Sequence, residues 1–200
     1  FLGGGVTVAL LMKKSEADKA GAKRIPLDDG KAAKVASLVN GANGKLTELR
    51  ELTKRKGDVR DRLASTASEI VQKTTEAIAI DPTCAAAWYV RALSKWITRD
   101  EKGALEDIAK AREIDATDAA VLTAHTRMRF ERLLVSRRLG EAGEDPAPIL
   151  ADLKALATSP AEGVPVVFCR AAVLYLEGAV AAAFEACNKA LDRDDMNDEL

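Results

Sequence analysis

The chain has 200 residues, of which 48% are hydrophobic and 30% charged, with a formal net charge of −1 and a pI near 6.0. This is a globular composition with room for one sizeable core or for an array of small units, and it lacks the basic excess expected of a nucleic-acid binder. Three cysteines without a C-x-x-C pair and a single histidine cannot assemble a zinc site of common spacing, so no metal and no cofactor is expected.

Aromatic residues make up only 4% of the chain and alternating β-branched runs are almost absent; the nearest, Val164-Pro-Val-Val167, is interrupted by Pro165. An alanine-rich chain of this kind favours close helix packing, and the fold class expected is all-α. Cys84, Cys169 and Cys187 read as reduced, buried thiols of a cytosol-like compartment. Cys169 and Cys187 could meet within one hairpin, but the same compartment argues against a disulfide.

Residues 1–26 form an apolar tail and a linker. The chain opens with an apolar run, Phe1 to Met12, followed by Lys13 and Lys14. It does not begin with methionine, which is expected of a mature or trimmed product. Twelve residues are too few to span a bilayer, which needs about 20, and the lysines follow the apolar run rather than precede it as in a signal peptide. Three readings remain. The run packs on its own domain or on a partner; or it is the last part of a membrane anchor, with the lysines on the cytoplasmic side; or it is a signal remnant, with the domain in a periplasm-like space. The expected location is therefore cytoplasmic or the cytoplasmic side of a membrane, the alternative being periplasmic and membrane-anchored.

Residues 27–200 read as one helical domain. Asp28 or Asp29 caps a helix to about Val39, and Asn40-Gly-Ala-Asn-Gly44 breaks it. Leu46, Leu49 and Leu52 mark a second helix from Lys45 to Lys56, and Gly57-Asp58 permits a stop and restart. Val59 to Ile80 carries Leu63, Ile70, Val71, Ala77 and Ile78 on one side and ends at Asp81-Pro82. Thr83 then caps a helix with Trp88, Ala92 and Trp96 at i, i+4, i+8, Arg99-Asp100-Glu101 turns the chain, and Gly103 to Ile114 returns. Asp118 caps a longer helix to Leu139, and Gly140 to Asp145 is a loop. Asp145 with Pro146 starts the next helix, which runs to Ala157. After a loop from Ser159 to Pro165, helices 166–177 and 179–192 follow, and the acidic residues 192–200 read as a solvated helix end.

Two of these stretches share a small-residue stripe: Ala104, Ile108 and Ala111, and Ala183, Cys187 and Ala190. Such a stripe lets a second helix lie very close. The hairpins that carry them resemble tetratricopeptide repeats, units of about 34 residues with A-x3-F-x2-A in the second helix. In residues 85–118 the match is Trp88, Ala92, Ala104, Ile108 and Ala111, with Lys95 and Ala116 departing from the pattern. In residues 164–197 it is Ala171, Leu174, Gly178, Ala183, Cys187 and Ala190. Residues 51–84 match in their second half, through Ala77 and Pro82, and residues 119–163 resemble a lengthened unit. The resemblance implies an α-solenoid of antiparallel helical hairpins, a TPR-like superhelix of three to four hairpins, in which the first helix of each hairpin lines a concave groove. Carried over residue by residue, the groove face holds Tyr89, Leu93, Trp96, Arg127, Phe130, Phe168 and Tyr175. Trp88 is expected to fill a gap between hairpins.

No nucleophile motif, phosphate-cradling glycine loop or paired metal ligands are present, so no catalytic residue is assigned and the chain is not expected to be an enzyme. His125, alone on its helix, reads as a packed or surface residue. Arg127, Arg129, Arg132, Arg137 and Arg138 crowd one helix opposed by Glu131; they form a solvated face or meet an acidic segment, RNA or anionic lipid, nucleic acid being the weakest of these. The expected function is a protein–protein interaction scaffold or assembly factor that holds a segment of a protein partner, with a membrane contact through residues 1–12. The alternative is a structural subunit of a larger complex, with the tail and the solenoid ends buried against partners.

Overall fold

The computed structural model describes residues 27–55, 58–158 and 166–191. The expectations for the apolar tail, the linker, the loop 159–165 and the acidic stretch 192–200 lie outside the described residues. Among the described residues every regular element is an α-helix, so the fold is all-α as expected. The chain divides into two compact units between Val121 and Leu122.

The first unit opens with α1 (Asp29–Lys54). Asp28 caps it, its Oδ1 accepting the Lys31 N–H at 2.8 Å, and that backbone donor holds the Asp28 carboxyl below its ordinary range. The break expected at residues 40–44 does not occur: α1 runs through Asn40-Gly-Ala-Asn-Gly44 as one helix. The two glycines cost about 1 kcal/mol each relative to alanine. Against this stand Val35, Val39, Ala42, Leu46, Leu49 and Leu52, all buried on one face, where each large aliphatic group contributes about 1.5–3 kcal/mol. Packing outweighs propensity here.

Helix α2 (Arg60–Ile80) lies on α1. Ala67 and Ile70 join Ala42, Leu46 and Leu49 of α1, with Leu63 packed at the edge. Helix α3 (Ala85–Ile97) packs on α2, reaches α1, and adds Val90 to the same cluster. Helix α4 (Glu101–Ile114) packs on α3. Ala104, Ile108 and Ala111 are fully buried, so this stripe does form the close contact expected of it.

Between α2 and α3 the turn differs from the expected one. Thr83 is not the cap; Cys84 takes that position without a side-chain bond. Asp81 makes the turn instead, its Oδ1 accepting the Thr83 N–H at 2.9 Å and the Thr83 hydroxyl at 2.6 Å. The same turn recurs 34 residues later at Asp115, whose Oδ1 accepts the Thr117 N–H at 3.1 Å and hydroxyl at 2.8 Å. The backbones agree closely, φ −134°, ψ 92° at Asp81 and φ −136°, ψ 92° at Asp115. Each aspartate N–H also closes its helix, on the carbonyls of Ala77 and Ala111. Because the carboxylate shapes the turn, Ala116 can stand where Pro82 stands in the first copy.

Helix α5 (Ala119–Leu139) starts in the first unit and continues into the second. Asp118 caps it as expected, accepting the N–H groups of Ala120 and Val121 at 2.8 and 3.0 Å. The second unit then holds α6 (Pro146–Ala157), capped by Asp145 with Pro146 in its first turn, α7 (Val166–Leu176) and α8 (Val180–Leu191). In it α6 packs on α7 and α7 on α8.

The α3–α4 and α7–α8 hairpins reverse by the same device, 79 positions apart. Arg99 (φ 68°) and Gly178 (φ 85°) each take the left-handed conformation. The next N–H groups, of Asp100 and Ala179, return to the carbonyls of Lys95 and Leu174, both at 2.9 Å. The stripes beyond them differ. On α8 Ala183 is buried but Cys187 is exposed, contrary to the expectation of a buried thiol. Helix α8 buries Ala183 and half-buries Ala186, three residues on, and this rotation swings Cys187 outward. None of the three cysteines is in a disulfide; Cys169 is buried, and burial pushes its thiol up to about 11.

Candidate partner-binding surface

In the first unit α3 presents Tyr89, Leu93 and Trp96. Its buried side is made by Ala87, Val90, Ala92 and Ser94, which leaves the three larger residues half-buried at its flank. Tyr89 and Leu93 pack against the α1–α2 cluster. Burial raises the Tyr89 phenol above its ordinary range, and the Arg50 guanidinium from α1 works against that rise. Trp88 is half-buried; its indole N–H donates to the Pro82 carbonyl at 3.0 Å, and the Arg91 guanidinium of the same helix lies over its ring at 4.7 Å.

Beside these stands an ionic cluster that sequence reasoning missed. Asp107 of α4 is buried, and Arg91 of α3 grips it with two bonds, Nε to Oδ2 at 2.8 Å and Nη2 to Oδ1 at 2.7 Å. Lys95 Nζ lies 2.8 Å from Oδ2, and Arg91 Nη1 donates to the Thr75 hydroxyl of α2 at 3.1 Å. Lys95 departs from the repeat pattern because it serves this pair. The signal was two cations four apart on one helix facing a lone aspartate on the return helix, and it reads as an ordinary charged surface unless the hairpin is folded first.

In the second unit the other four residues come together. Phe130 of α5 is buried, and its ring stands edge-on to Phe168 (centroids 5.7 Å, 81°) and Tyr175 (6.2 Å, 87°) of α7. Arg127, exposed, places its guanidinium 5.6 Å from the Phe168 centroid and bonds Glu131 through Nε at 2.7 Å. Phe168 and Tyr175 are half-buried. So Phe130 is a hub, while Arg127, Phe168 and Tyr175 offer accessible surface. The seven expected residues thus form one set on α3 and one across α5 and α7.

Within the arginine run, Arg129 is withdrawn from solvent and ion-pairs with Glu144, with Asp152 at 3.9 Å. Only Glu131 had been expected to oppose the run; the two further acids come from the loop and helix that fold back on α5. His125 is buried on α5, in keeping with a packed residue. Among the described residues no cluster of three metal-capable side chains is present, and no helix is long and apolar enough to cross a membrane.

No family model, curated protein or solved structure matches the chain. The site therefore has to be read from its own geometry.

Proposed function

We propose that this chain is a TPR-like helical-repeat protein that holds a segment of a partner protein against the first helices of its hairpins. The observation that carries the reading is the Asp81 and Asp115 turn, repeated at 34 residues with the same backbone and the same side-chain bonds. That interval matches the period of about 34 residues typical of tetratricopeptide units, and it supports placing α3 and α5 as successive first helices. Tyr89, Leu93 and Trp96 on α3 would then form one contact face, and Arg127, Phe168 and Tyr175, with Phe130 buried behind them, another across α5 and α7. Flat, half-buried aromatic groups are good anchors for a peptide. Binding, not catalysis, is the role proposed, without a cofactor. The experiment is affinity capture with the intact chain and with Trp96→Ala and Tyr175→Ala variants; unchanged partners in both variants would end the groove reading.

One observation favours a second reading, a structural subunit of a larger assembly. Val180, Phe184 and Cys187 lie along one face of α8, and Phe184 is 68% exposed. A subunit that normally buries this face would aggregate when isolated. A binding module lacking Phe1–Met12 would sediment as a monomer. The location, cytoplasmic or membrane-attached through the tail, follows whichever of the two holds.

A further inference from the structure

Helix α1 carries its buried side chains in two separate groups. Val35 and Val39 lie with Ala77 of α2 and Ala87 of α3. Ala42, Leu46 and Leu49 lie with Ala67 and Ile70 of α2 and Val90 of α3. On α1 the step between the groups falls between Val39 and Ala42, inside Asn40-Gly-Ala-Asn-Gly44. On α2 it falls between Ile70 and Ala77, where Thr74 is fully buried. The Thr74 hydroxyl turns back on its own helix, donating to the Ile70 and Val71 carbonyls at 2.7 and 3.1 Å, a bond that loosens a helix. Each group also has its own ion pair between α1 and α2, Lys34 with Glu76 at 2.7 Å and Lys45 with Glu69 at 3.3 Å.

The residues at this step hold the signals of a broken helix. Asn40-Gly41 is a pair that commonly ends a helix, and Asn43 is a residue that commonly caps the start of one. Packing requires neither glycine. A Cβ on Gly41 would meet Lys73 no closer than 3.8 Å, and one on Gly44 would meet nothing within 4 Å. Both positions have room for alanine, so the glycines weaken α1 where its two halves part. The first half, Asp29–Val39, has its own cap in Asp28, but a helix of about three turns does not hold itself in water without packing.

We infer that Asp29–Val39 is a strap that opens as one unit, α1 breaking at Asn40–Gly44 while its second half stays packed. Released from α2 and α3, the strap unwinds and uncovers the apolar side chains of Ala77 and Ala87. Tyr89 and Leu93 pack on the second group, so the opening leaves them in place. The strap therefore changes one part of the α2–α3 surface without disturbing the face proposed for partner binding. Such an opening differs from fraying, in which protection falls away gradually towards the helix end.

The test is native-state hydrogen exchange on the full chain, read amide by amide by NMR. The expected profile is a step: Val35, Leu38 and Val39 share one lower protection, and Leu46, Leu49 and Leu52 share a higher one. Gly41→Ala and Gly44→Ala are each expected to slow exchange in the first set about fivefold, the scale of alanine's advantage over glycine within a helix. Ile70→Val thins the second group alone. It is expected to speed exchange in the second set about fivefold and to leave the first set unchanged. A smooth gradient along α1 would reduce the opening to fraying and overturn the proposal. It would be overturned equally by glycine variants that leave the first set unchanged, or by Ile70→Val speeding both sets alike.

Discussion

The α3–α4 and α7–α8 hairpins reverse through the same left-handed residue and the same returning hydrogen bond, yet they finish differently. In the first, Ala104, Ile108 and Ala111 are fully buried and an ionic cluster locks α3 to α4. In the second, Ala183 is buried while Phe184 and Cys187 face outward. The turn fixes where the chain reverses; the side chains that follow fix how far the return helix is rotated and what it leaves exposed.

The largest effect expected from that contrast is at Asp107. Replacing it with alanine strands Arg91 and Lys95 without their partner and should destabilise the first unit by about 3 kcal/mol, read by urea denaturation. A loss under about 1 kcal/mol would show that water already compensates the two cations. Next comes the stripe itself. Ile108→Ala should cost about 3 kcal/mol, whereas Cys187→Ala at the matching place should stay within about 0.5 kcal/mol. Equal costs would mean that α8 is packed as tightly as α4.

The turns themselves should respond in opposite directions. Arg99→Gly relieves a left-handed conformation and should stabilise by about 1 kcal/mol, while Gly178→Ala should destabilise by about the same amount. Open space surrounds Gly178, so the penalty there is conformational rather than steric. The smallest effect concerns alkaline pH. The Cys169 thiol is raised from an ordinary 9.0 to about 11, and the Tyr89 phenol is also raised. Both therefore favour the folded state below their unfolded values; the Cys169 contribution is lost as pH climbs from about 9 to about 11, and that of Tyr89 falls away only above its ordinary 10.0. Melting curves across that window should show a falling stability whose slope is shallower in Cys169→Ala.

What the sequence made legible was local chemistry. Asp28, Asp118 and the Asp145-Pro146 pair announce helix starts because a carboxylate and a pre-set φ act on their neighbours alone. Gly178 marks the second hairpin for the same reason. Features decided by another element were hidden. Gly41 and Gly44 read as a break because propensity ignores the α2 surface that buries Ala42 and Leu46. The rotation of α8 depends on which alanine row meets α7. Asp107 is recognisable only when α3 lies beside it. In the candidate site, Arg127 and the aromatics were named from a repeat pattern, but Phe130's role as a buried hub required the packing of α7 on α5.

The most direct test of the account is quantitative affinity capture from native extracts with the intact chain beside the Trp96→Ala and Tyr175→Ala variants, each checked for an unchanged fold. The account expects one or more partners to be retained by the intact chain and lost from both variants. An identical set of partners, in identical amounts, on all three would contradict it.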